Sequence, residues 1–398
     1  MKAHKWMSMQ FFGFFFTFGI FVPYWSIWLV SDKHFTPDQA GIIIATGLLT
    51  RAMTTFFLFP RASQYMSLAR LNQWVVFLSV LLFALLIPAN SFGTVIVTTF
   101  FISLLYPMPL AMHEAMASKL MKRGEIAYGR SRSYGSLGYI VALLLTGVII
   151  SILGEKVIIY VMIVGMVIFA LLASLKAPST LREKNDPTGM SVKELFQSKS
   201  FVFVLLLCVI LQSAHAAYYS YAVLFLGDIG VQPEFIGFLL LIAVIAEIIF
   251  FFISDALFKK GQVTTLLMFS VTASIVRWML LFLFDHVMIF IVSQFLHAFT
   301  FGLTQVAFMK YLDEHIKNQF FPYAHGLYAA LGLSLGNGLL TIVSGYLFSI
   351  SPAYAFLGMA IICMPCFILI YLLKVTLKNH FDRNDHKKST EERQIHAN

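Results

Sequence analysis

A single carboxylate, Glu247, lies in the apolar stretch AVIAEIIFFFI at positions 243–253. A charge at the centre of a membrane helix costs roughly 2.5–3.5 kcal/mol, so it needs a partner, water or a proton. Seven ionisable residues well inside comparable stretches are candidates for chemistry: Arg51, Glu114, Arg132, His215, Glu247, Arg277 and His297. Because lipid would be a prohibitive surrounding for all of them, we expect one shared polar cavity, with a structural ion pair as the alternative for each alone.

A buried carboxylate can carry a proton between conformations, because desolvation favours its neutral form and an approaching arginine favours its ionised form. Glu247 is the first candidate for this role and Glu114 the second. We expect protonated Glu247 to favour substrate loading, and Arg277 or Arg51 to displace the proton later. The imidazoles of His215 and His297 either relay protons or bond to neutral substrate and backbone, and His215 is counted among the candidate substrate-binding residues.

A buried arginine can also anchor a carboxylate substrate through charge-assisted, often bidentate hydrogen bonds, and Arg132 and Arg51 are the candidates. Tyr139 follows Arg132 by two helical turns, so its ring and the guanidinium are expected on one side of the cavity. A plain packing role is an equal alternative for this tyrosine. The other rings that could enclose an apolar substrate are those of Tyr24, Trp25, Tyr218 and Tyr219.

The elements that must position these residues are membrane helices. Of the 398 residues, 59% are hydrophobic and 12% charged, and the mean hydropathy is +0.82, far outside the range of soluble domains. Recurrent apolar stretches predict an all-α integral membrane protein, whereas a barrel would need shorter stretches of alternating polarity. The twelve predicted spans are 9–30, 39–59, 72–89, 92–117, 132–152, 156–176, 200–226, 235–257, 264–283, 286–312, 324–349 and 353–376.

The basic residues fall in alternate loops, which decides against a nucleic-acid partner despite the net charge of +9. The opposite loops carry only Lys33 and Lys156. Since short cytoplasmic loops are enriched in Lys and Arg, this asymmetry predicts a multi-pass protein of the bacterial inner membrane with both termini in the cytoplasm. An even number of spans is consistent with that orientation.

An internal repeat relates the two halves of the chain. The segment FTPDQAGIIIATGLLTRAMTTFF (35–57) aligns with VQPEFIGFLLLIAVIAEIIFFFI (231–253) at an offset of about 196 residues. The matched pairs are Pro37 with Pro233, Asp38 with Glu234, Gly41 with Gly237, Arg51 with Glu247 and, nearby, Tyr24 with Tyr221. We therefore expect Arg51 and Glu247 at the same depth, on helices that face each other. The predicted units are a six-helix bundle over 1–176, a cytoplasmic linker over 177–199, a second bundle over 200–376 and a polar tail over 377–398.

Two six-helix halves related by an axis along the membrane normal characterise the major facilitator superfamily, which the chain resembles. FFGFFFTFGIFVPYWSIWL, GRSRSYG after the glutamate of the fourth helix, IVRW and LHAF resemble the lactose permease family of proton-coupled sugar symporters. This resemblance implies that Glu114, Arg132 and Glu247 bind substrate, that Tyr139 stacks on it, and that Arg277 and His297 take part in proton coupling. Thr300 and Gln294 stand where that family has a glutamate and a lysine.

A second resemblance, to the phenylpropionate permease family, accommodates these departures better. QSAHAAYY, GLLTRAMTTFFLFPRAS, VIAEIIFFFISDALFKK, VRW and LHAFTF are similar to that family, although Glu114 stands where it has an aspartate. The resemblance implies uptake of 3-phenylpropionic acid or a related aryl carboxylate.

The expected function is therefore secondary active transport of a small solute by alternating access, with proton-coupled uptake. A sugar or nucleoside symporter is the nearest alternative, and a drug/proton antiporter comes next. No ATP-binding GxxxxGK[ST] motif, nucleophile motif or metal-ligand cluster occurs in the sequence, so we expect no enzyme and no cofactor beyond a proton gradient. A monomer in the lipid bilayer is expected.

Overall fold

The computed structural model describes residues 2–182, 192–258, 261–317 and 320–378, and every regular element within these ranges is helical. Eleven of the described helices are long and apolar enough to cross a membrane, and Leu68–Ala84 is a shorter apolar helix. The prediction of an all-α membrane protein is confirmed. In chain order the helices are α1 (Ala3–Ser31), α2 (Pro37–Tyr65), α3 (Leu68–Ala84), α4 (Phe92–Met121), α5 (Tyr128–Leu153), α6 (Ile158–Ser174), α7 (Lys199–Asp228), α8 (Pro233–Phe258), α9 (Val263–Leu283), α10 (Val287–His315), α11 (Tyr323–Ile350) and α12 (Pro352–Lys378).

The helix α3 differs most from its predicted span of 72–89. It begins after Ser67, whose extended backbone precedes the first helical residue, and it ends at Ala84. Pro88 accounts for the early end, because the residue before a proline disfavours the helical conformation and proline has no amide hydrogen to donate. Hydropathy alone overlooked this stop, since the residues up to Ala89 are apolar.

Helices α1–α6 pack mainly on one another, and so do α7–α12. The central helix of the first set is α1, which lies against α4, α5 and α6; close approach to α5 needs Gly138, where a Cβ would lie 2.5 Å from the carbonyl oxygen of Phe12. We call these sets the N half and the C half. The predicted linker 177–199 and tail 377–398 include 183–191 and 379–398, which lie outside the described residues, so both remain predictions.

The halves meet where α2 packs on α11, α8 on α5, and α1 on α7. At the end of the bundle that contains Pro37, hereafter the Pro37 end, Tyr221 of α7 donates to the carbonyl oxygen of Pro37 at 3.1 Å. Its ring tip fills the space beside Gly41 and Gly345, where a Cβ on either glycine would overlap the hydroxyl. The Ser349 hydroxyl accepts a hydrogen bond from the backbone amide of Asp38 and lies within hydrogen-bond distance of the Asp38 carboxylate.

The crossing of α5 and α8 repeats this arrangement at the positions that the sequence offset predicts. Tyr24 of α1 lies beside Gly147 and Gly237, at 3.1 and 3.3 Å from the Cβ each would have. Its hydroxyl, however, donates to Leu143 of α5 at 2.7 Å, a bond within the N half. The repeat is therefore visible in the packing of the two crossings, while their hydrogen bonds differ.

Candidate functional site

One charged pair lies in the N half, where α4 and α5 run antiparallel. Nε of Arg132 is 3.3 Å from the Glu114 carboxylate, and the Tyr128 hydroxyl donates to the other carboxylate oxygen at 2.7 Å. Tyr128 and Arg132 are one helical turn apart, so both reach the same acid from one face of α5. The side chains of Arg132 and Glu114 are 31% and 41% exposed, so this pair is only partly buried.

Aromatic rings of α1 support the same arginine. Its guanidinium carbon lies 4.2 Å from the ring centre of Phe15 and 5.5 Å from that of Phe11. Rings at this distance attract a cation through their negative faces. The Phe-rich start of α1 therefore holds the Arg132 side chain as well as packing against other helices.

A second network connects α8, α9 and α10 in the C half. Nε2 of His297 is 3.5 Å from the Glu247 carboxylate, and Nδ1 of the same ring is 2.9 Å from Nη1 of Arg277. A guanidinium can only donate, so Nδ1 must accept and a neutral His297 must bear its hydrogen on Nε2. Nε2 is the ring nitrogen that lies 3.5 Å from the Glu247 carboxylate, so the imidazole stands between Arg277 and the acid.

A branch of this network reaches α7 through Thr300. The Thr300 hydroxyl accepts from Nη1 of Arg277 at 3.1 Å and lies 3.0 Å from Nε2 of His215. Since Nδ1 of His215 donates to the Leu211 carbonyl, Nε2 of a neutral ring accepts the threonine hydrogen. The Thr300 hydroxyl of α10 thus connects His215 of α7 to Arg277 of α9.

Arg277 itself is completely buried. Its guanidinium carbon lies 4.7 Å from the ring centre of Tyr218 and 4.5 Å from that of Trp278. Its Nε and Nη2 find no hydrogen-bond acceptor among the described residues. Unpaired buried donors are unfavourable. The two aromatic rings and the hydrogen bonds to His297 and Thr300 offset part of that cost for the Arg277 guanidinium.

Irregular helix geometry positions these side chains. The segment Ala298–Gly302 of α10, which contains Thr300, is a π-helical turn, and α7 is interrupted at Ala214 and His215. Such turns are frequent at functional sites, because an extra residue per turn redirects side chains. Local sequence patterns do not reveal them.

Tyrosines lie where the two charged networks approach each other. The hydroxyl of Tyr139 in α5 interacts electrostatically with Tyr218 and Glu247. Arg132 likewise interacts electrostatically with Glu247. Tyr218 donates to Gln294 at 2.7 Å. The structure therefore brings Glu114, Arg132 and Tyr139 of the N half toward the Glu247 network of the C half.

Three candidate residues lie apart from that meeting point. Tyr24 is in the α5–α8 crossing, and Trp25 is 3% exposed among Trp28, Phe21 and Phe83 near the Pro37 end. Arg51 does not contact Glu247, since α2 packs on α11 and α8 packs on α5. Their roles in binding, like those of the other candidates, stay predictions.

Sequence reasoning missed Tyr128 and the linking role of Thr300. Tyr128 could have been found, because it precedes Arg132 by one helical turn on the face that also bears the arginine. In the sequence, Thr300 stands out only because the lactose permease family has a glutamate at that position. Its actual partners depend on the π-helical turn of α10.

In the described part of the chain, eleven membrane-spanning helices and the shorter apolar helix α3 pack in two halves that carry buried charges, the arrangement of a secondary transporter of the major facilitator type. Solved structures share this fold. The nucleoside transporter NupG matches with a TM-score of 0.77 at 15% identity, covering 95% of this chain and 100% of NupG. A peptide transporter, POT, matches with a TM-score of 0.74 at 10% identity, covering 95% of this chain and 94% of POT.

The chain belongs to the MFS_1-like family, which it matches over residues 4–358. It is 26% identical to the probable 3-phenylpropionic acid transporter of Escherichia coli (strain K12) over 373 residues, 93% of this chain and 97% of that protein. It is 24% identical to the maltose permease of Geobacillus stearothermophilus, over 91% of this chain and 92% of the permease. The predictions of a multi-pass membrane transporter of this superfamily, and not of an enzyme, are confirmed.

Proposed function

We propose that this protein imports 3-phenylpropionate or a related aryl carboxylate together with protons. The observation that carries the proposal is the row of contacts from Arg277 through His297 to Glu247, a carboxylate that also interacts electrostatically with Arg132 of the partly exposed Glu114–Arg132 pair. The substrate class follows the named E. coli relative, which aligns over nearly the whole chain.

The proton cycle uses one carboxylate and one arginine. Glu247 takes up a proton and becomes a neutral acid, which weakens its electrostatic contact with Nε2 of His297 and lowers the charge beside an incoming anion. After the halves rock, the positive charge of Arg277 favours the ionised carboxylate and the proton leaves on the other side. The substrate dissociates there as well, so one proton and one solute move in the same direction.

The Glu114–Arg132 pair forms part of the cavity wall in this mechanism. With Arg132 in place the pair is neutral overall, so an anionic substrate meets no net negative charge from the N half. Rings of Tyr139 and Tyr218 offer faces to the aryl group.

The proposed orientation puts both termini in the cytoplasm of a bacterial cell and the Pro37 end on the outer side of the inner membrane. The support is the excess of Lys and Arg in the loops opposite the Pro37 end, against Lys33 and Lys156 at that end. We propose that a monomer performs the transport, since both halves of the cavity come from one chain.

Symport of a sugar or nucleoside is the second candidate. The observation in its favour is that Glu114 and Glu247 both retain exposed side chains, at 41% and 27%, and carboxylates accept hydrogen bonds from several hydroxyls. The maltose permease among the relatives supports the same alternative.

Uptake into proteoliposomes tests the proposal. An imposed inward proton gradient should drive accumulation of labelled 3-phenylpropionate, a protonophore should abolish it, and Arg132→Ala should lose most of it at substrate concentrations below the wild-type half-saturating value. Maltose and uridine are measured in parallel. Accumulation of either of these instead of the acid would favour the second candidate, and full activity of Arg132→Ala would refute the proposed site.

A further inference from the structure

Three arginines lie well inside the membrane helices, and two of them have hydrogen-bond or ion-pair partners within the protein. Arg132 pairs with Glu114, and Arg277 is completely buried while bonded to His297 and Thr300. The third, Arg51 of α2, makes no hydrogen bond or ion pair through its guanidinium with any residue in the described part of the chain. Arg277 also has unpaired donors, Nε and Nη2, but that residue is completely buried, whereas Arg51 is half-buried.

The side chain of Arg51 belongs to the interior face of α2. Ile42 and Met53, which are 37% and 52% exposed, lie on the opposite face, about 180–200° away at 100° per residue. Arg51 is half-buried, so its surroundings admit other atoms. A charge at this depth is unfavourable by roughly 2.5–3.5 kcal/mol unless something compensates it.

The titratable neighbour that interacts with Arg51 is Tyr106 of α4, which cannot compensate the charge. Thr17 donates its hydrogen to the Phe14 carbonyl at 2.8 Å, so Tyr106 must donate the 3.0 Å bond to Thr17. The phenol is therefore a neutral group that offers Arg51 only a lone pair. The described structure supplies no carboxylate, and a bound anion would complete the site.

We propose that Arg51, and not Arg132, binds the carboxylate of the substrate. The inference rests on the proposed function, because it assumes an aryl acid. The guanidinium of Arg51 can form a bidentate bond to a carboxylate, whereas the charge of Arg132 is already balanced by Glu114. The aryl group then lies along α1, where the half-buried ring of Phe21 is 5.3 Å from Tyr106 and that of Phe18 is 6.4 Å from Tyr139.

Competition by a neutral analogue distinguishes recognition of the substrate carboxylate from recognition of the aryl ring. In proteoliposomes, the half-saturating concentration of 3-phenylpropionate is measured together with inhibition of its uptake by 3-phenylpropionamide. Arg51→Gln should raise the value for the acid about 10- to 100-fold, while inhibition by the amide changes little. Arg51→Lys should recover part of the loss, because charge returns without the bidentate geometry.

Arg61→Gln is the matched control, since it makes the same change on the exposed end of the same helix. Thermal unfolding in detergent checks folding: removing an uncompensated charge should leave the stability of Arg51→Gln equal to or above that of the wild type. Wild-type uptake with unchanged acid affinity in Arg51→Gln would overturn the Arg51 assignment alone, as would equal losses for acid and amide. A wild type that takes up no aryl acid would overturn the proposed function and with it this assignment.

Discussion

The N half and the C half share a repeat but use it differently. In the N half, the acid and arginine are direct partners and both are partly exposed. In the C half, Glu247 and Arg277 are separated by a histidine, and the arginine is completely buried. The tyrosines of the two crossings differ as well, because Tyr24 bonds within its half and Tyr221 bonds across to the other.

This contrast suggests a division of labour. A neutral, accessible pair suits a surface against which a solute can settle, since it needs no change of charge. A mostly buried carboxylate that is linked to an arginine through an imidazole suits a group that changes protonation state. We expect variants of the N half to alter affinity and variants of the C half to alter coupling.

The largest effect is expected from Glu247→Gln, which keeps the shape but cannot release a proton. Uphill accumulation should disappear, so the internal concentration settles at the external one, while exchange of labelled for unlabelled substrate persists. Glu114→Gln is the matched change in the N half and should preserve accumulation. Uphill uptake by Glu247→Gln would remove the distinction between the halves.

The next effect concerns affinity. Arg132→Gln leaves the Glu114 charge unpaired beside an anionic substrate, and the half-saturating concentration should rise about tenfold. Accumulation at saturating substrate should remain. Glu114→Gln should not weaken binding of the acid, so a similar loss in both variants would indicate that the carboxylate itself contacts the solute.

Particular residues mark how far the sequence could predict this organisation. The helical membrane fold follows from hydropathy, and the expectation that charged residues turn away from lipid follows from the high cost of buried charge. The repeat also predicts equivalent positions for Arg51 and Glu247. It does not predict contact between them, because the pseudo-symmetry packs α2 on α11 and α8 on α5, so equivalent residues face different neighbours.

Local irregularities account for the rest. The partners of Thr300 depend on a π-helical turn, and those of His215 on an interruption of α7. Both features depend on tertiary packing that no single segment encodes. The end of α3, in contrast, could have been predicted from the single residue Pro88.

A smaller effect is expected from Thr300→Val, which removes the hydroxyl between Arg277 and His215. The free energy of unfolding should fall by roughly 1 kcal/mol, and the pH dependence of uptake should shift because Arg277 loses a fixed acceptor. Thr272→Val, on the exposed side of α9, is the control and should behave like the wild type. An unchanged pH profile would exclude the threonine branch from coupling.

The smallest effect separates the two tyrosines. Tyr221→Phe deletes a hydrogen bond between the halves at the Pro37 end, which is worth about 1 kcal/mol and should shift the populations of the two access states about fivefold toward opening there. Tyr24→Phe deletes a bond within the N half and should leave those populations unchanged. Distances between spin labels across the Pro37 end measure the shift. Equal shifts in both variants would mean that the crossings act alike, because packing around Gly41 and Gly237 would then outweigh the hydrogen bonds that distinguish them.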